Sequence, residues 1–279
     1  MIARRAALFG MGAALATPSA LTAQPAVTPF ENLLNTALAE PEVLEATHGD
    51  REGLQTLYEE TVTKAIAPRR APSKRAISPD AVKMIVTLEV SDRKRYEAKY
   101  QQPIWPKGQS GVTLGIGYDL GYVTAAYLRE DWGKVLGATD LARLESACEV
   151  TGPAAKALLP QLASLRIGWD AAYGQFTTTT LPRFVAETIG TLPNTNLLSD
   201  DSLGALVSLV YNRGASFKKT TDRYAEMRAI KLAMVRKEFA KIPDQLISMK
   251  RLWADDPDMK GLLLRRDLEA ALFKQGLKA

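Results

Sequence analysis

Cysteine and histidine are almost absent from this chain of 279 residues, which contains only Cys148 and His48. A single cysteine forms no intramolecular disulfide, so a disulfide framework is excluded as a sign of export. One histidine argues against a histidine-based triad and against a multi-histidine metal site, and no Cys/His cluster has metal-ligand spacing. We therefore predict no metal centre and interpret Cys148 as a small apolar residue in a helix.

Long hydrophobic runs are also lacking, and the clearest apolar run, residues 6–16, is shorter than the roughly 20 residues that span a bilayer. It follows Arg4 and Arg5 and precedes small residues at 18–23, which is the pattern of a cleaved export signal. We expect a signal peptide over 1–23 and an exported protein, periplasmic or secreted, with no stable membrane insertion after cleavage. The arginine pair resembles a twin-arginine signal without its usual Ser and Phe. A frayed or membrane-anchoring N-terminus is the alternative.

A strong charge of one sign is missing as well, since the net charge is only +5, but the charges are unevenly distributed. Residues 28–65 hold eight acids and two bases, residues 66–78 hold four bases, and residues 79–279 have a net charge of +5. A mildly basic main domain suits an acidic polymer such as a cell wall. The chain has no zinc-finger or RNP motif and no dense basic-aromatic patch, so we expect no nucleic-acid partner.

Apolar residues at helical spacing predict two helices, over 28–48 and 51–66, followed by a linker rich in proline and basic residues. Residues 24–78 are therefore interpreted as a helical N-terminal appendage with a linker, and residues 79–279 as the main domain. The appendage is either a spacer or docking hairpin, or an acidic segment that covers the basic domain.

The main domain contains one stretch with strand-like alternation, Ser110–Asp119. Its apolar residues alternate with Thr113, two glycines and Asp119, which share the opposite face. A straight strand would separate Thr113 from Asp119 by roughly 20 Å. If both serve one site, Gly115 and Gly117 must fold the chain back.

A carboxylate, Glu89, falls at the end of an apolar helical stripe that begins after Ser78-Pro79-Asp80. Because a carboxylate there is partly desolvated, we expect its pKa to rise, as a general acid working near neutral pH requires. The alternative is an ordinary exposed glutamate at a helix end.

Beyond Gly121 the pattern is helical throughout. A helix capped by Asp200 or Asp201 is apolar nearly all round and belongs in the core. The other predicted helices cover 122–136, 139–150, 153–165, 169–176, 181–189, 223–235, 236–248 and 260–274, with an interruption at 177–180.

Three blocks resemble the phage-type lysozymes and endolysins, and most closely the pesticin muramidase family. They are Leu88-Glu89 with Tyr96 and Thr113–Gly117, then Ala205–Gly214, then Gly261–Phe273. Asp119 follows Thr113 by six positions, as the catalytic aspartate does in the pesticin domain. The resemblance implies an α+β, predominantly α, lysozyme-like domain with a small β-sheet near the active site, expected at 96–120, and a helical C-terminal lobe.

The same resemblance implies the chemistry. Glu89 is the acid, Asp119 stabilises positive charge and activates water, and Thr113 holds that water. The substrate is the N-acetylmuramic acid to N-acetylglucosamine bond of peptidoglycan, cleaved with inversion and without a cofactor. The chain departs from the phage-type pattern at Lys107, where a second carboxylate is expected, and Glu97 is the nearest alternative to Asp119.

Four further residues are assigned to substrate binding: Trp105, Tyr118, Asn212 and Arg213. Trp105 lies between two prolines and serves either as a sugar-stacking platform or as a pin between loop and core. Asn212 and Arg213 either bind the glycan or form a helix-terminal turn with Gly214. Arg265 and Arg266 are expected to pair with Asp267 or Glu269, and one of them to orient Glu89.

Peptidoglycan is thus the expected partner of a monomeric protein, with an immunity or inhibitor protein as a further partner if the enzyme is used as a toxin. The rival interpretation is a non-catalytic peptidoglycan-binding protein on the same scaffold, favoured by Lys107.

Overall fold

Several helices of this protein begin where a short polar side chain accepts a hydrogen bond from an otherwise free backbone amide. In the computed structural model, which describes residues 27–46 and 69–278, Thr28 caps the first helix with a reciprocal bond from Glu31. Ser78, Asp92 and Ser199 cap three later helices by accepting from the backbone amide three residues on, without the reciprocal bond. The expected signal peptide, His48 and the expected helix over 51–66 lie outside the described residues.

The described chain is α+β and predominantly α, with one small antiparallel sheet of two strands. The elements are α1 (Pro29–Ala39), α2 (Pro41–Ala46), α3 (Pro79–Val90), α4 (Arg93–Lys99), β1 (Thr113–Leu114), β2 (Tyr118–Asp119), α5 (Ala125–Trp132), α6 (Ala138–Glu145), α7 (Gly152–Leu162), α8 (Trp169–Gln175), α9 (Leu181–Thr191), α10 (Asp200–Arg213), α11 (Ala225–Arg236), α12 (Ile242–Ser248) and α13 (Lys260–Gly276).

Helix α10 forms the centre of the core, as its nearly continuous apolar sequence predicts. It is buried along almost its whole length and packs most extensively against α13, with α3 and α9 on its other sides. Helix α3 also buries the predicted stripe, namely Ala81, Met84, Ile85 and Leu88.

Helices α1 and α2 pack directly on the main body of the protein, against α13 and α3. Phe30, Leu34, Ala37 and Leu44 are buried in the same apolar core as α10. The division into an appendage at 24–78 and a main domain at 79–279 stays a prediction. Helices α1 and α2 contact the main body through apolar side chains as well as through charged ones.

Ion pairs add to this docking. The carboxylate of Glu45 on α2 lies 2.7 Å from Arg95 Nε and 2.9 Å from Lys99 Nζ on α4. Further along, Arg69 donates to Asp131 at 2.7 Å, and Arg75 donates to the carbonyls of Thr195 and Leu198. Arg70 pairs with Glu187 at 3.2 Å, so three of the four bases at 66–78 are bound to the main body.

Three local expectations are wrong. Residues 96–99 are helical, because Asp92 caps α4 at the amide of Arg95, so the sheet is smaller than the predicted span of 96–120. The threonines at 177–180 do not interrupt the helix but form a π-helical turn from Phe176 to Thr180, in which Thr177 and Thr178 hydroxyls bond to carbonyls one turn back. Ser199, and neither Asp200 nor Asp201, caps α10.

Within the described ranges, none of the helices has the length and apolar character needed to cross a membrane.

The packing of α1 predicts that Phe30→Ala lowers the free energy of unfolding by about 3–5 kcal/mol, because a buried aromatic side chain is replaced by a cavity. Asn35→Ala, at an exposed position of the same helix, is the control and should change it little. Urea unfolding measures both. Equal stability of the two variants would mean that α1 is an independent appendage.

The docking of α2 should depend on pH. Burial raises the pKa of Glu45, but hydrogen bonds from Arg95, Lys99 and Tyr100 outweigh it and lower the pKa from 4.5 to about 2. A depressed folded-state pKa contributes stability above the unfolded value and loses it as the pH falls through the folded value. We expect the stability difference between the parent and Glu45→Gln to be full at pH 6 and to shrink towards pH 2. A difference that does not change with pH would contradict this assignment.

Candidate functional site

The glycines of the 110–119 stretch turn the chain back on itself, which is the geometry required if Thr113 and Asp119 are to serve one site. Strand β1 pairs antiparallel with β2, and Thr113 lies directly opposite Asp119. Gly115 and Gly117 have positive φ angles of 59° and 71°, which glycine adopts without steric cost. The backbone N–H and C=O of Thr113 bond to Ile104 on the other side. Thr113 and Asp119 are therefore a non-hydrogen-bonded pair, whose side chains lie close together on one face.

The tip of this hairpin is enclosed by side chains from distant parts of the chain. A Cβ atom on Gly117 would lie 2.6 Å from Glu89 Oε2 and 3.0 Å from the Tyr211 hydroxyl oxygen. A Cβ on Gly115 would lie 2.7 Å from the Trp132 ring. The Tyr211 hydroxyl donates to the Ile116 carbonyl at 2.8 Å. Glycine is therefore required at both positions for close approach, and at Gly117 this approach is to the Glu89 carboxylate.

Glu89 lies at the C-terminal end of α3 and is only 5% exposed. Arg265 Nη1 of α13 donates to its Oε1 at 2.9 Å, in an ion pair that is buried on both sides. Arg265 also contacts Glu269 at 3.4 Å and Ser208 of α10. Burial favours the neutral acid, as the sequence predicts, whereas the neighbouring guanidinium favours the carboxylate. The predicted desolvation is thus present, together with an opposing charge.

Asp119 is 4% exposed and is held by the backbone. Its Oδ1 accepts hydrogen bonds from the amides of Gly111 and Gly121, both at 2.9 Å. The second of these bonds caps the short 3₁₀ turn Leu120–Tyr122. Backbone donors aimed at a carboxylate favour its charged form and fix its orientation.

A small cleft opens beside the hairpin. Its walls bring together Glu89 and Thr113, which are 24 positions apart in the sequence. The other lining residues are Val90, Tyr100, Ile104, Pro106, Gly115 and Gly117. Asp119 is not in the lining and lies across the hairpin from Thr113.

The residues predicted to bind substrate are scattered around this cleft, and none of them lines it. Trp105 packs against the core and donates through Nε1 to the Ser110 carbonyl at 3.0 Å, while it remains partly exposed beside Lys156. It therefore pins the loop, and its platform role stays a prediction.

Tyr118 projects into the interior. Its hydroxyl donates to Asp131 Oδ2 at 2.7 Å, and its ring lies edge-on to Trp132. Burial, followed by the adjacent Asp131, raises the pKa of Tyr118 well above its ordinary value. Asp131 also pairs with Arg69 and with Arg183 of α9, so Tyr118 ties β2 to a buried charge cluster.

Asn212 and Arg213 end α10, and Gly214 has the positive φ of the predicted C-terminal turn. Asn212 accepts a bond from Arg266 at 3.0 Å. The guanidinium of Arg213 is 5.4 Å from the Tyr224 ring centroid and 5.1 Å from that of Trp253, and it donates to the Arg223 carbonyl. The structure therefore places Arg213 among aromatic rings, away from the cleft lining.

The two alternatives for the second carboxylate position are both outside the cleft. Lys107 is exposed with a φ of 88°, and Glu97 pairs with Arg93 on the surface of α4 at 2.7 Å. Of the three positions considered for the second carboxylate, only Asp119 is paired with Thr113 across the hairpin.

Three residues that shape the site were not predicted from the sequence as site residues, or were given no specific role. Tyr100 lines the cleft, Tyr211 holds the hairpin tip, and Arg265 binds Glu89. Tyr211 belongs to the block 205–214 and Arg265 to the block 261–273, so the resemblance of these two blocks to the lysozyme family could have pointed to both residues. No sequence pattern pointed to Tyr100, because its place beside the cleft depends on how α4 packs. The expected pairing of the two arginines with Glu269 is confirmed, whereas Asp267 binds Lys250.

Other reactive groups do not contribute to the site. Burial, together with Glu145 and Glu149, raises the pKa of the Cys148 thiol to about 12, so little thiolate forms near neutral pH. Cys148 is buried as expected, but it follows the end of α6. In residues 27–46 and 69–278, no three His, Cys, Asp or Glu side chains are grouped to hold a metal ion.

A scan against protein-family models and a search of curated proteins found no match to this chain. The site is therefore interpreted from its own residues and geometry.

The close approach of Gly117 to Glu89 predicts that Gly117→Ala lowers the free energy of unfolding by about 2 kcal/mol or more, because alanine is strained at this φ and its Cβ displaces the carboxylate. Gly174→Ala is the matched control: no atom lies within 4 Å of its added Cβ. It is a helical position, where the change should stabilise by roughly 0.5–1 kcal/mol. Thermal unfolding compares the two. A neutral Gly117→Ala would show that Glu89 and the hairpin are not in contact.

Proposed function

We propose that this protein is a peptidoglycan hydrolase, a lysozyme-like muramidase that cleaves the N-acetylmuramic acid to N-acetylglucosamine bond. The observation that carries the proposal is the meeting of Glu89 and Thr113 in one cleft, with Asp119 directly opposite Thr113 across the hairpin. A mostly helical domain with a small sheet beside this cleft is in keeping with the family that the three sequence blocks resemble.

In the proposed reaction, Glu89 gives its proton to the oxygen of the leaving sugar as the glycosidic C–O bond breaks. A water held by the Thr113 hydroxyl attacks the anomeric carbon from the opposite face and loses a proton to Asp119. The charge of Asp119 also stabilises the oxocarbenium-like centre, and the attack from the opposite face inverts the anomeric configuration. Two carboxylates supply all of the acid–base chemistry, so we propose no cofactor.

The backbone bonds to Asp119 support its part in this scheme. Two amides fix one oxygen of the carboxylate and favour the charged form, which a base and charge stabiliser requires. For Glu89, burial supports the acid role.

The same proposal includes an exported protein that acts as a monomer on the cell wall, in the periplasm or outside the cell. The proposed signal peptide over 1–23 lies outside the described residues. A toxin used against competitors would need an immunity or inhibitor protein as a partner, and defence or wall remodelling would not.

A second candidate is a non-catalytic peptidoglycan-binding protein on the same scaffold. The buried ion pair between Glu89 and Arg265 favours it, because a neighbouring guanidinium favours the carboxylate form, which has no proton to give to a leaving group. The absence of a carboxylate at Lys107 favours it too.

Glu89→Gln and Asp119→Asn test the proposal in the purified full-length protein. Turbidity of a peptidoglycan suspension and release of new reducing ends are measured together, and wall binding is measured by co-sedimentation. We expect each variant to lower the rate about 10²- to 10⁴-fold, since each removes one half of the acid–base pair, while wall binding stays. Glu97→Gln, which removes an exposed carboxylate of α4, is the control and should hydrolyse at the parental rate.

The outcomes separate the candidates. Hydrolysis by Asp119→Asn at the parental rate would move the second role to another residue. If the parent protein sediments with the wall and releases no reducing ends, the muramidase proposal is wrong and the non-catalytic binding protein is favoured.

A further inference from the structure

One wall of the cleft is supported by a helix that lies outside the predicted main domain. The wall is Tyr100, at the C-terminal end of α4, which is 8% exposed and lines the cleft with Glu89 and Thr113. Its hydroxyl donates at 2.9 Å to Oε1 of Glu45 on α2. A residue 55 positions earlier thus holds a side chain of the site.

The carboxylate of Glu45 accepts hydrogen bonds from three side chains of α4 and its C-cap. Oε1 accepts from Arg95 Nε at 2.7 Å in addition to the Tyr100 hydroxyl, and Oε2 accepts from Lys99 at 2.9 Å. Two of the donors belong to α4 and the third, Tyr100, is its C-cap residue and lines the cleft. Glu45 therefore fixes the end of α4 and the Tyr100 ring at the same time.

The other side of the ring is constrained as well. Tyr96, one turn earlier, has its hydroxyl bound to the Ile167 carbonyl at 2.9 Å, and its ring centroid is 6.5 Å from that of Tyr100. The bond to Glu45 at its hydroxyl and the Tyr96 ring beside it restrict the orientation of the Tyr100 side chain. Rigid aromatic surfaces next to a few polar groups are typical of ligand-binding clefts.

We infer that Tyr100 is a glycan-binding residue of the cleft and that Glu45 is its positioning residue, which makes α2 part of the substrate site. This inference rests on the proposed function, because it takes the ligand to be a peptidoglycan glycan. It assigns to the N-terminal segment a role beyond that of a spacer or an acidic cover.

Four variants of the full-length protein test the inference: Glu45→Ala, Glu45→Gln, Tyr100→Phe and the double variant of Glu45→Ala with Tyr100→Phe. The measured quantities are KM and kcat on a soluble glycan fragment of peptidoglycan, and Kd for the same fragment. Loss of a hydrogen bond that holds a binding group should raise KM and Kd about fivefold with little change in kcat. Glu45→Ala and Tyr100→Phe should each show this rise, and the double variant should show no further rise.

Glu45→Gln should retain the parental KM that Glu45→Ala loses. Its amide oxygen still accepts from the Tyr100 hydroxyl, although the charge that binds Arg95 and Lys99 is gone. We expect KM within about twofold of the parent, since the hydrogen bond and not the charge positions the ring. Glu42→Ala is the matched control: Glu42 lies on α2 and pairs with Arg95 but does not contact Tyr100. Its KM should equal that of the parent.

The results that would overturn the inference differ from failure of the proposed function. If Glu45→Ala lowers the melting temperature and the amount of active enzyme while KM and Kd stay unchanged, Glu45 is purely structural. If effects of Glu45→Ala and Tyr100→Phe on KM add, the two residues do not act as a unit. If the parent binds the fragment without cleaving it, the proposed hydrolase activity is wrong, but the comparison of Kd values still decides whether Glu45 positions Tyr100. A parent that neither binds nor cleaves it overturns both proposals.

Discussion

The buried ion pair between Glu89 and Arg265 is the interaction on which the geometry of the cleft depends. It joins the end of α3 to α13, and through Ser208 and Glu269 the same guanidinium joins the middle of α10. A buried pair contributes little net stability because both charges lose water, but the removal of one partner leaves an uncompensated charge. The pair therefore specifies where the Glu89 carboxylate lies, and Gly117 has no side chain because that carboxylate occupies the space beside it.

The uneven charge along the chain acquires a physical meaning from the docking of α2. Acidic side chains of the N-terminal segment face basic side chains of α4, while Phe30 and Leu34 enter the apolar core. Exposed ion pairs alone are worth little in water, so the buried apolar side chains provide most of the attachment and the charges select its position. A covering segment held by charge alone would lack this apolar contact.

Sequence patterns predicted those features that are set by neighbours along the chain. The α3 stripe, the burial of α10, the glycine turn and the cap at Gly214 follow from periodicity and backbone preference. Features set by distant partners were beyond such patterns. The sequence around Tyr118 does not reveal that Asp131 takes its hydroxyl, and that around Arg213 does not reveal Tyr224 and Trp253. The sequence around Tyr100 does not reveal that its hydroxyl bonds to Glu45, 55 positions earlier.

The two carboxylates of the proposed reaction are held by different kinds of partner, and this difference suits different tasks. Backbone amides hold Asp119, and they cannot change charge or turn away, so its environment is constant. A side chain holds Glu89, and its charge is divided between Glu89 and Glu269. Glu269 in turn pairs with Arg266, so a buried network of charged side chains from α3 and α13, rather than the backbone, positions the carboxylate proposed as the acid.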